Sequence, residues 1–74
     1  MIYLITYELN NSQKDYSSLY NAIKDIGPWW HYIEDTWIIR TTGPVSEIYK
    51  RLNPYIDQNK DNLLIIKVDP NKKA

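Results

Sequence analysis

A chain of 74 residues is long enough for one small domain and too short for a large core. Without cysteine it can form neither disulfides nor thiolate metal sites, and nine basic residues against nine acidic ones argue against indiscriminate attraction to nucleic acid. No apolar run reaches the length of a membrane span and no charged-then-apolar leader opens the sequence, so a soluble, cytoplasmic protein is expected.

"MIYLITYEL" predicts a strand over Ile2 to Leu9, apolar on both faces and therefore central. "NNSQK" is turn material, and Asp15 after it is placed to cap a helix. Tyr16, Leu19, Tyr20, Ile23 and Ile26 follow at helical spacing as one apolar stripe. Gly27 suits the residue just past that helix, and Pro28 forbids its continuation. "GPWWHYIEDTWII" then gathers all three tryptophans and the only histidine. It predicts strands over Trp29 to Ile33 and Thr36 to Thr41, joined by Glu34-Asp35, a turn without the usual glycine. Pro44 suits the start of a second helix. Val45, Ile48 and Leu52, then Tyr55 or Ile56, form its buried side, and Pro54 should bend or break it. Leu63 to Val68 is the last strand, so residues 1–69 form the domain and 70–74 a flexible tail.

Strand, helix, strand, strand, helix, strand in so short a chain points to an α+β, ferredoxin-like βαββαβ sandwich. Its four-stranded antiparallel sheet has the spatial order fourth, first, third, second, with both helices on one face. The other face is bare. Charged residues belong on that open face, because a charge beneath the helices is costly. This places Glu8, Arg40 and Lys67 there, together with Leu4, Thr6, Ile38, Leu63 and Ile65. Pairing of Ile33 with Thr36 adds Trp29 and His31, and sends Trp30 and Tyr32 under the helices with Trp37; a one-residue slip reverses these. So apolar a face marks an interface, and a homodimer packed through Leu4, Thr6, Trp29, Ile38 and Ile65 is the simplest expectation. Glu8, Glu34 and Asp35 gather at one end of the sheet, and Arg40 and Lys67 lie toward the other.

The chain resembles the small SinR-family proteins, which are related in fold to the small ferredoxin-like protein of the CRISPR adaptation complex and to VapD-type toxins. The residues that carry the resemblance are "YLITYELN" (Tyr3 to Asn10), "DYSSLYNAIKDIGPWWHYIEDTWII" (Asp15 to Ile39) and "DNLLIIKV" (Asp61 to Val68). It implies a ferredoxin-like homodimer. In the CRISPR-associated and VapD-type relatives, an aspartate ending the first strand is associated with metal-dependent cleavage of RNA or DNA. The matching position here is Glu8, a glutamate where those families have aspartate.

These residues define the chemistry to look for. As catalytic residue and metal ligand, Glu8 would hold Mg²⁺, an ion that takes carboxylate oxygens and keeps several waters. Arg40, Lys67 and His31 are the candidate contacts to phosphate or nucleic acid. Histidine can donate or accept a proton near neutrality. The alternative is a solvated strand-end carboxylate in a non-enzymatic, protein-binding module: an inhibitor, immunity or accessory subunit of phage or defence type. A further alternative is a pocket between protomers for a nucleotide-like ligand. No glycine-rich phosphate loop, histidine metal pair or serine elbow is present.

Overall fold

The computed structural model describes residues 1–68, apart from the side chain of Tyr32. The expected tail at 70–74 and the expected inward placement of Tyr32 lie outside the described residues. The elements run β1 (Ile2–Glu8), α1 (Ser17–Lys24), β2 (Trp29–Ile33), β3 (Thr36–Arg40), α2 (Val45–Leu52), a 3-10 turn (Asn53–Tyr55) and β4 (Asn62–Val68). The strands form one antiparallel sheet in the order β2-β3-β1-β4, which is the ferredoxin-like arrangement expected.

One face of the sheet makes the core. Tyr3, Ile5 and Tyr7 of β1 and Trp37 and Ile39 of β3 are buried against Leu19 and Ile23 of α1, Ile48 and Leu52 of α2, and Ile56. Each helix has eight residues, too few to be stable alone, and each buries a pair of residues one turn apart. Val45, expected on the buried side of α2, is exposed; it is the first residue of the helix, and burial begins one turn later at Ile48. Pro54 ends α2 as expected, inside the 3-10 turn that follows Leu52. Asp15 stands one residue outside the cap position, which Tyr16 occupies. Its carboxylate still accepts the Ser17 N–H at 2.9 Å and so satisfies one free donor of the first turn. Gly27 is not needed for a left-handed backbone. It is needed because a β-carbon there would run into the Arg40 carbonyl oxygen.

Two expectations about the faces are overturned. The first concerns β4. Paired residues of an antiparallel ladder share a face, and Tyr3 pairs with Lys67, Ile5 with Ile65 and Tyr7 with Leu63. Leu63, Ile65 and Lys67 therefore lie on the helix side, and Leu64, Ile66 and Val68 on the open side. Lys67 tolerates that side because it sits near the end of an edge strand, where it is exposed and its ammonium reaches water.

The second concerns β2. Ile33 does pair with Thr36, but His31 pairs with Trp37, so β2 advances two residues where β3 advances one. That is a β-bulge, and it exchanges the faces of everything before it. Trp29 and His31 join Trp37 and Ile39 on the helix side, while Trp30 joins Ile38 on the open side.

Candidate functional site

The open face carries Ile2, Leu4, Thr6 and Glu8 from β1, Thr36, Ile38 and Arg40 from β3, and Asn62, Leu64, Ile66 and Val68 from β4. Trp30 and Ile33 add to it from β2. Leu64 is 53% exposed, Ile66 47% and Trp30 41%, so the apolar positions form a surface rather than a second core. Of the five residues expected at a subunit interface, Leu4, Thr6 and Ile38 are on this face. Trp29 and Ile65 are not, for the two register reasons above.

Glu8 ends β1 at the edge of the same face. It is exposed, and its Oε1 accepts the side-chain amide of Asn62 at 3.0 Å and that of Asn10 at 3.5 Å. Glu8 and Asp35 line two adjoining clefts, of about 790 and about 520 Å³. The larger also takes in Lys14, Tyr16, Tyr20 and Glu34. The acidic end is therefore formed as expected. Magnesium, however, demands near-octahedral oxygen coordination. Among the described residues no three acidic, histidine or cysteine side chains converge on one point. Oε1 of Glu8 is also engaged by amide donors. The described residues of a single chain do not fit a Mg²⁺ centre.

The loops around the larger cleft are tied together by Asp61, the one buried charged residue among those described. Its carboxylate accepts the Asn10 N–H at 2.7 Å, the Tyr16 hydroxyl at 2.7 Å and the Asp57 N–H at 2.7 Å. Burial pushes this carboxyl upward, but these hydrogen bonds outweigh burial and hold it below the ordinary aspartate value. Asp61 thus locks the β1–α1 loop to the approach of β4. Sequence reasoning missed it, since an aspartate beside a strand looks like ordinary turn chemistry.

At the other end, Arg40 pairs with Ile2 on the open face and Lys67 with Tyr3 on the helix face. They mark the same end of the sheet but do not form a single strip. His31 lies on the helix side of β2 and not on the open face with Arg40. Its ring lies parallel on Trp37, with centroids 3.9 Å apart and planes 5° apart. Its Nε2–H donates to the Glu34 carbonyl at 3.0 Å, which fixes the tautomer because a carbonyl can only accept. Trp29 flanks the same indole at 5.2 Å, and Lys24 of α1 lies over the Trp29 ring at 5.1 Å.

The fold is shared with a solved structure, the crystal structure of Streptococcus pyogenes Cas2 at pH 6.5. The two superpose with a TM-score of 0.67 at 23% sequence identity, over 96% of this chain and 89% of that one. No helix among the described residues is long and apolar enough to cross a membrane. No family model matches the chain, and no curated protein matches it. The likeness to Cas2 therefore speaks for the fold, a four-stranded ferredoxin-like sheet with two helices on one face.

Proposed function

We propose that the protein is a homodimer of CRISPR-associated, SinR-like type that binds nucleic acid, with the open sheet faces packed together. The uncovered apolar face carries this reading. Ile2, Leu4, Ile38, Leu64, Ile66 and Trp30 form a continuous patch of the kind that monomers rarely leave in water. The nucleic-acid half is supported by the fold shared with Cas2 and by Arg40 and Lys67 at one end of the sheet. Binding is favoured over cleavage, because among the described residues of one chain no three acidic side chains converge where Mg²⁺ needs several oxygens, and Glu8 is bonded to amides. Hydrolysis requires Glu8 from both chains to meet across the two-fold axis.

Light scattering at micromolar concentration should give a dimer, and labelled RNA or DNA should shift on a native gel. A monomer that binds neither overturns the reading. Incubation with Mg²⁺ or Mn²⁺ beside Glu8→Gln separates binding from cleavage. Cleavage lost in the variant assigns Glu8, whereas equal cleavage in both is a contaminant. The balanced charge favours a second reading, a non-enzymatic module that docks on a protein. Affinity capture that recovers nucleic acid and no protein partner counts against it.

A further inference from the structure

The aromatic cluster of β2, β3 and α1 lies on the helix side of the sheet, away from the open face. Trp37 is 1% exposed and is already covered on its inner side by Tyr20, at 6.4 Å and 23°. His31 is stacked on it and is itself exposed, so one face of a flat ring is backed by an indole and the other meets water. Trp29, 42% exposed, packs on the same indole at 5.2 Å, and Lys24 brings an ammonium within 6.0 Å of the Trp37 ring. A rigid aromatic face with a cation beside it matches one ligand chemistry well: an unpaired nucleobase followed by its phosphate. A duplex keeps its base faces stacked inside and presents none to such a ring.

We infer that His31, backed by the Trp37 indole on which Trp29 and Lys24 also gather, is a stacking platform for bases of single-stranded nucleic acid. The base lies on the outer face of His31, and Lys24 meets the adjoining phosphate. The bulge between His31 and Ile33 is what creates the platform, since it turns both rings out of the sheet's open face. The inference rests on the nucleic-acid reading above and adds a location, a strand state and named residues to it.

The test is fluorescence anisotropy of the full chain with short labelled oligothymidylate, oligouridylate and a duplex of matched length. Single strands should bind more tightly than the duplex; the two homopolymers separate RNA from DNA. His31→Ala and Trp29→Ala should each weaken single-strand binding by about five- to hundredfold. His31→Phe, which keeps a flat ring, should retain binding. Lys24→Ala should flatten the salt dependence by about one unit of slope, and Lys50→Ala on α2 should change nothing. Wild-type binding by both alanine variants, or equal affinity for the duplex, overturns the platform alone. Failure of the unmodified chain to bind any oligonucleotide overturns the functional reading itself, so the two failures are distinguishable.

Discussion

Tyr7 shows why this core contains tyrosine rather than phenylalanine. Its ring is buried, and its hydroxyl accepts the Trp37 indole N–H at 2.8 Å while donating to the Glu34 carbonyl at 3.2 Å. Burial raises this phenol above its ordinary value, with the Trp37 bond pulling the other way. Tyr7→Phe keeps the ring and strands a buried indole N–H, so it should cost roughly 1–3 kcal/mol in urea unfolding. Asp61 is the complementary case, an acceptor surrounded by donors. Asp61→Asn replaces a charged acceptor by a neutral one and should also cost roughly 1–3 kcal/mol. Its carboxyl is depressed in the folded state, so the contribution is complete above the unfolded aspartate value of about 3.9 and fades as the pH falls through the folded value. Unfolding curves of wild type and variant should therefore run apart at neutral pH and converge in acid. A gap that stays constant down to pH 2 would remove Asp61 from the account.

At the scale of elements, the β2–β3 hairpin is where local geometry decides the most. Its turn has no residue at positive φ, so it is not the glycine-bearing turn that matches strand twist, and β2 carries its extra residue next to it. The carbonyls of Glu34 and Asp35 are held by β1, through the Tyr7 hydroxyl, the Tyr7 N–H and the Thr6 hydroxyl. Gly27 at the other end lets the chain pass against the Arg40 carbonyl, and Arg40 N–H donates to Pro28 at 2.9 Å. Gly27→Ala must push backbone against backbone, so a loss of roughly 1–3 kcal/mol is expected from thermal or urea melts. An unchanged midpoint would show that the hairpin can slide. The order of elements, the central place of β1 and the core pairs Leu19–Ile23 and Ile48–Leu52 were legible because apolar spacing reports them directly. The faces of β2 and β4 were not. A bulge leaves no mark in composition, and Lys67 misled because an edge strand can carry a lysine on its covered side near an end. With those two registers unread, Trp30 was expected under the helices and Leu64 and Ile66 off the open face, with Trp29 and Ile65 on that face instead.

For the whole molecule, the question is what covers the open face. A stable protein interface buries about 800 Å² on each partner. That is about 15% of this chain's 5295 Å² surface, a share one face of a four-stranded sheet can supply. The face is self-complementary in charge as well. Glu8 and Asn62 lie at one end and Arg40 at the other, so a two-fold axis across the strands sets Glu8 against Arg40 of the second copy, while one along the strands sets the two Glu8 side chains together. Leu4→Glu sits at the centre of β1 and Ile66→Glu opposite it on β4, and each puts two like charges near the axis. Both variants should shift light scattering from dimer to monomer while the circular dichroism spectrum is retained. Val45→Glu is the control, since Val45 is about as exposed as Ile66, at 45% against 47%, but stands on α2. It should leave the dimer intact. If all three variants behave alike, the open face is not the subunit contact and Glu8 has no second Glu8 to meet. Nucleic-acid affinity measured on the same monomeric variants then has a clear meaning. Affinity lost with dimerisation places the ligand across two chains, whereas affinity kept places it on one, where Trp29, His31 and Lys24 are already assembled.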